Sequence, residues 1–193
     1  TNTRYLHTAI LQYAERLSAL FPEALLVCFL VNSGSEANEL ALRLARAHTG
    51  GEAVVSLEGG YHGSTQACID VSHYKFAGRG SAGAPPWVAA ANMPDVFRGL
   101  YRSHDPAAAS RYAAHVGECF ERLAGTGYTA SAFLAESIIS CGGPIEPPEG
   151  YLAAAYELAR ANGAVCIADE IQIGFARVGS HMLAFATQGV VPD

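Results

Sequence analysis

Two adjacent acids, Asp169 and Glu170, close the apolar run GAVCI within ADEIQIGF, residues 168–175. An ionised carboxylate beside a core needs a partner, because leaving it unpaired out of water is heavily unfavourable. Three other short stretches carry comparable chemistry. NSGSEAN, residues 32–38, has Ser33 and Glu36 at capping-box spacing, which alone explains both. Gly34, however, bares the amides that point out of a helix start, and Ser35 adds a hydroxyl, so the same residues suit a phosphate. No Walker loop is present. GGYHGS, residues 59–64, sets Tyr61 and His62 between glycines. Tyr61 can lie flat on a ligand ring or simply cap the core, and His62 is a candidate base that nothing in the sequence orients. The fourth stretch, AES, contributes Glu136.

In DEIQ, Asp169 is suited to hold a proton on a heteroaromatic nitrogen. Ile171 can cover that ring's other face, and Gln172, alternating back to the same side, can donate to a ring oxygen. The competing reading makes Asp169 a helix cap or the ion-pair partner of an arginine such as Arg177. Taken together, the helix start, the aromatic, the aliphatic and the acid fit one ligand: a stacked ring with a phosphate arm, which is pyridoxal phosphate. That cofactor is an electron sink while its ring nitrogen stays protonated. The two acids are then expected to find their partner in a ligand and not in protein.

The elements that must position these residues follow from periodicity. A helix is predicted over 5–20, with apolar side chains at 6, 10, 13, 17 and 20. LLVCFLV, 25–31, reads as a buried strand, and Ala37, Leu40, Ala41 and Leu44 line one face of the helix after it. AVVSL (53–57), SAFLAES (131–137) and AVCIAD (164–169) read as strands, with helices over 107–124 and 151–162 and mainly loop over 72–110. Strands separated by helical crossings predict an α/β domain on a mainly parallel sheet, with ligands beyond the carboxyl ends of the strands. No linker divides the chain, so residues 1–193 are expected to be one unit.

Composition narrows the partners. A net charge of −6 disfavours nucleic acid and anionic membranes, and no apolar run reaches membrane-span length. The five cysteines are scattered without metal-ligand spacing, which suits a reducing, cytoplasmic compartment and no bound metal. Eleven arginines accompany a single lysine, Lys75.

In this order and spacing, NSGSEANELALRLAR, the YHG turn, AES and ADEIQIGFARVG resemble the large domain of class III pyridoxal-phosphate enzymes of fold type I. NTRYLH, YAERL, SHYKF and PDVFRGLYR are similar to one branch, the ethanolamine-phosphate phospho-lyases and their phosphohydroxylysine-cleaving relatives. The resemblance implies a three-layer α/β sandwich and a homodimer. It places Gly34 and Ser35 on the cofactor phosphate, Tyr61 and Ile171 on the two ring faces, Asp169 on the pyridine nitrogen and Gln172 on the phenolic oxygen. His62 goes with the turn, and Glu136 supports the region of Asp169.

The family's Schiff-base lysine ends a later strand, and Lys75 is not at the matching position. The chain therefore reads as part of a large domain, without the catalytic-lysine strand or the small domain, and is expected to be inactive alone. The implied activity is a phospho-lyase acting on an amino-alkyl phosphate such as phosphoethanolamine. The alternatives are an ω-aminotransferase passing an amino group to an oxo acid, and a non-catalytic cofactor-binding or dimer-scaffold piece. Lys75, with Arg79, Arg98 or Arg102, is a candidate for holding a substrate phosphate against the alternative of a solvated basic loop.

Overall fold

Ser33 starts the first long helix: its Oγ accepts the Glu36 amide at 3.2 Å, while the Glu36 carboxylate reaches back to the Asn32 amide at 2.7 Å. The computed structural model describes residues 4–193, so the opening Asn-Thr of NTRYLH lies outside the described residues. The elements are α1 (Thr8–Ser18), α2 (Gly34–Thr49), β1 (Ala53–Leu57), α3 (Gln66–Val71), α4 (His73–Phe76) and β2 (Val88–Ala91). They continue with α5 (Ala108–Gly125), β3 (Ala130–Glu136), α6 (Tyr151–Ala161), β4 (Val165–Asp169) and a 3-10 turn, Ala184–Gln188. Gly50, at φ 67, closes α2 with the left-handed cap that glycine adopts most cheaply.

The strands form one parallel sheet in the order β2-β1-β3-β4. Successive side chains face opposite layers. Val54, Ala132 and Leu134 pack with Leu42 of α2 and Val71 of α3. Val55, Leu57 and Phe133 pack with Tyr112 and Phe120 of α5 and Tyr156 of α6. This is the expected three-layer sandwich. Phe133, fully buried, illustrates the driving term: burying a side chain of that size contributes roughly 1.5–3 kcal/mol.

Several expectations are corrected. Residues 25–31 form no strand, and all but the half-buried Leu25 are exposed, because no described strand lies alongside to exchange backbone hydrogen bonds with them. The loop expected over 72–110 contains α4 and β2. VAAA is short and alanine-rich, with little intrinsic strand preference, yet it pairs with β1 from Val54↔Val88 to Leu57↔Ala91. In α2 the buried residues are Asn38, Leu42 and Ala45, whereas the expected inner face ends in Leu44, which is 46% exposed. The stripe of α1 likewise buries none of its residues.

Candidate functional site

The parallel connections gather the carboxyl ends of β1, β3 and β4 at one edge of the sheet, where such sheets bind ligands. β3 and β4 end in register, with Glu136 opposite Asp169, so two buried acids lie side by side and each needs donors. Glu136 Oε1 accepts the Tyr61 amide at 3.1 Å, and Oε2 accepts the Ser140 amide at 3.0 Å together with the Ser140 hydroxyl. It braces the turn that carries Tyr61.

Asp169 Oδ2 accepts from His62 Nδ1 at 2.9 Å and Asn38 Nδ2 at 2.8 Å, and Oδ1 accepts the Ile171 amide at 3.1 Å. Since the carboxylate can only accept, the His62 proton sits on Nδ1. Burial pushes the Asp169 carboxyl up, but the His62 bond, the Ile171 amide and Asn38 outweigh it and hold the group below its usual range. Glu170 accepts the Ser137 hydroxyl at 2.7 Å and the amides of Ala184 at 2.6 Å and Phe185 at 2.9 Å, which makes it the cap of the 3-10 turn.

The expectation that both acids are partnered by a ligand is thus corrected. Glu170 is satisfied by protein, and so in large part is Asp169, through His62 and Asn38 and not through Arg177. A carboxylate offers about four lone-pair positions, so three donors leave Asp169 room for about one more.

The YHG turn is fixed from two sides. Gly59 donates to His73 Nδ1 at 3.1 Å, the Tyr74 amide to the Gly60 carbonyl at 3.1 Å, and the His62 amide to Ser72 Oγ at 2.8 Å. On the other side, Asn38 Nδ2 also donates to the His62 carbonyl at 2.9 Å. The Ser64 amide donates to Ser35 Oγ at 2.9 Å, which leaves the Ser35 hydroxyl proton free to donate outward. Gly63 has φ 131, and a Cβ there would stand 2.8 Å from Ser35 Cα, so only glycine lets the turn meet the start of α2.

Gly34 has the same function against Ile171: a Cβ on it would lie 1.9 Å from Ile171 Cδ1. Ile171 therefore lies across the first turn of α2, while 54% of it faces outward. Lys75 Nζ sits 5.3 Å from the Tyr61 ring centroid and 5.7 Å from that of Tyr74.

The remaining expected residues have other neighbours. Gln172 lies in the turn over 171–178, exposed, with Nε2 4.0 Å from Cys141 Sγ. Because β4 stops at Asp169, strand alternation does not carry Gln172 back toward the acid. Arg98 is held by Asp95, Nε to Oδ2 3.5 Å, and Arg102 donates to the Phe97 carbonyl. Sequence reasoning passed over Asn38 and Ser72. Asn38 was traceable, since it stands one helical turn after Gly34 and so faces the same way. Ser72 lies in a stretch with no pattern to mark it.

These residues fit pyridoxal phosphate. They offer a bare helix start with a free hydroxyl proton, an aromatic and an exposed aliphatic side chain, and a buried ionised acid with acceptor capacity left. Among the described residues, no three His, Cys, Asp or Glu side chains gather as metal ligands.

A parallel sheet with this constellation at its carboxyl edge is the large-domain architecture of fold type I pyridoxal-phosphate enzymes. The chain belongs to the class-III aminotransferase family, whose model matches residues 2–193. It is 47% identical over 196 residues to an alanine–glyoxylate aminotransferase 2-like protein of Drosophila melanogaster, covering 100% of this chain and 40% of that protein. It is 42% identical over 212 residues to the human mitochondrial alanine–glyoxylate aminotransferase 2, again covering 100% of this chain and 40% of that protein. A solved phospholyase from Arthrobacter in complex with phosphoethanolamine superposes with a TM-score of 0.88 at 36% identity, covering 98% of this chain and 44% of that one. The chain thus spans about 40% of the length of the curated relatives it matches.

Proposed function

We propose that the chain forms the cofactor-binding part of a pyridoxal-phosphate-dependent enzyme acting on a primary amine. One observation carries this reading: the start of α2, the YHG turn and Asp169 meet at one sheet edge, with Ile171 laid over the bare Gly34. When bound, the cofactor supplies an electron sink. Gly34 and Ser35 would hold its phosphate through amides, the helix dipole and the free hydroxyl proton. Tyr61 and Ile171 would line the ring, and the remaining lone pair of Asp169 would keep the ring nitrogen protonated. His62 and Asn38 aim and charge that carboxylate, and Glu136 sets the backbone of Tyr61.

For the substrate, a phospho-lyase acting on an amino-alkyl phosphate is the reading we favour. It is supported by the likeness to the phosphoethanolamine-bound phospholyase and by Lys75, an exposed cation seated on the Tyr61 ring. A second reading, an aminotransferase, is supported by the higher identity to the two aminotransferase relatives. Assembly as a homodimer in the cytoplasm belongs to either reading.

The test is a full-length protein that carries this chain, assayed on phosphoethanolamine for released phosphate and on an amino-acid and oxo-acid pair for amino transfer. Phosphate release without an oxo acid supports the lyase. Amino transfer alone replaces it with the aminotransferase. If the protein binds no pyridoxal phosphate, the whole reading fails.

A further inference from the structure

Tyr61 is held at both of its ends. At the backbone, its amide donates to Glu136 Oε1 at 3.1 Å. At the far tip of the ring, its hydroxyl lies 2.9 Å from Ser64 Oγ, three residues along the same turn. Between these ends the contacts are loose. Tyr74 meets the ring edge-on with centroids 6.2 Å apart, and Lys75 Nζ stands 5.3 Å from the ring centroid. An aromatic side chain swings about its first torsion among staggered positions, and the bond to the backbone amide does not choose between them. A bond at the hydroxyl, the far end of the lever, does.

Ser64 can serve as that anchor because it is anchored itself. Its amide donates to Ser35 Oγ at 2.9 Å, which ties its backbone to the first turn of α2 whatever its side chain. Gly63 permits the approach, since a Cβ there would stand 2.6 Å from Ser35 Oγ. Among the hydrogen bonds of the described residues, the Ser64 hydroxyl has one side-chain partner, the hydroxyl of Tyr61. Both groups are exposed at this contact, so the bond competes with water and adds little to folding. What it adds is direction. The residue spans the two halves of the site, with its amide on the helix start and its hydroxyl on the aromatic ring.

We propose that Ser64 is a positioning residue of the candidate site: its hydroxyl keeps the phenol end of Tyr61 beside the start of α2, so that the Tyr61 ring is set for a stacked ligand. The proposal rests on the functional reading above and gives Ser64 no bond of its own to the cofactor phosphate. It acts through Tyr61.

The test titrates a full-length protein that carries this chain with pyridoxal phosphate and, separately, with pyridoxal, which shares the ring and lacks the phosphate. Affinity is read from absorbance. Ser64→Ala should weaken both compounds by the same factor, about three- to tenfold, the range of one exchanged hydrogen bond. Tyr61→Phe removes the other half of that bond and should cost as much. The double variant should lose no more than either single one. Ser64→Thr, which keeps a hydroxyl, should restore most of the affinity. Because the Ser64 amide still meets Ser35 in each Ser64 variant, thermal stability should stay unchanged.

A loss confined to pyridoxal phosphate would make Ser64 a phosphate ligand and overturn the proposal. Additive losses in the double variant, a loss that tracks a fall in thermal stability, or affinities equal to those of the unsubstituted protein overturn it as well. Should the unsubstituted protein bind neither compound, the functional reading fails and this proposal falls with it. Should it bind both while the variants behave alike, this proposal alone falls.

Discussion

His62 Nδ1 and Asp169 Oδ2 lie 2.9 Å apart with both side chains almost wholly out of water, so the imidazole and the carboxylate stabilise each other's placement as a unit. The pH dependence follows from the direction of the Asp169 shift. Its folded-state pKa lies below the ordinary 3.8, despite burial, because of His62, the Ile171 amide and Asn38. A depressed carboxyl contributes stability that is fully present above the unfolded-state value and is lost as pH falls through the folded-state value. His62→Phe, which keeps bulk but removes the donor, should cost about 1–3 kcal/mol at neutral pH. In denaturant titrations that difference should shrink as pH is taken below about 3.8. A difference that stays constant with pH would reduce the pair to packing.

Asp169→Asn nearly preserves shape while removing the charge. In a full-length protein that carries this chain, the expected loss of rate is at least about 100-fold, on the scale of a removed electrostatic stabiliser. The bonds to Asn38 and His62 can partly re-form around the amide, so the fold should survive and can be checked by circular dichroism. A rate near that of the unsubstituted protein would show that the acid is structural.

Gly34→Ala separates stability from binding. Alanine suits the first position of α2 better than glycine, by up to about 1 kcal/mol, so thermal stability should hold or rise. The new Cβ would displace Ile171, whose Cδ1 stands 1.9 Å away and Cγ1 3.1 Å away. Because Ile171 can swing outward, the consequence falls on the site: affinity for pyridoxal phosphate, read from its absorbance on titration, should drop. Adding Ile171→Ala should recover part of the loss. Unchanged affinity in the single variant would remove Gly34 from the cradle.

How much of this was legible beforehand depended on the range of the interactions involved. The capping pair Ser33–Glu36 is local, and its chemistry is visible in the sequence. The convergence of three strand ends was legible because a parallel sheet brings such ends together whatever their separation in sequence. What stayed hidden was long-range. Asp169 meets Asn38 across 131 positions and His62 across 107, and no spacing rule announces either bond. Residues 25–31 misled for the opposite reason: their apolar character is that of a buried strand, but a strand exists only where a neighbour offers backbone groups. β2 escaped because pairing with β1 decides it and not its alanine-rich composition.

Lys75 decides the finer question of substrate. Its ammonium lies over the Tyr61 ring at 5.3 Å and close to Tyr74, and Tyr74 packs edge-on against Tyr61 at 6.2 Å. Cation–π contacts of an exposed lysine are weak, about 0.5–1 kcal/mol, so the side chain can leave the rings when a stronger partner arrives. The dianionic group of a phosphorylated amine is such a partner, through charge-assisted hydrogen bonds. Lys75→Met, in a full-length protein that carries this chain, should raise KM for phosphoethanolamine about tenfold or more with a much smaller change in cofactor affinity. Because the lost contact is a surface charge, the fold should be unaffected. Steady-state kinetics on phosphoethanolamine, beside an unphosphorylated amine as control, make the comparison. If both substrates suffer alike, Lys75 supports the tyrosines and not the phosphate. If neither changes, it leaves the site altogether.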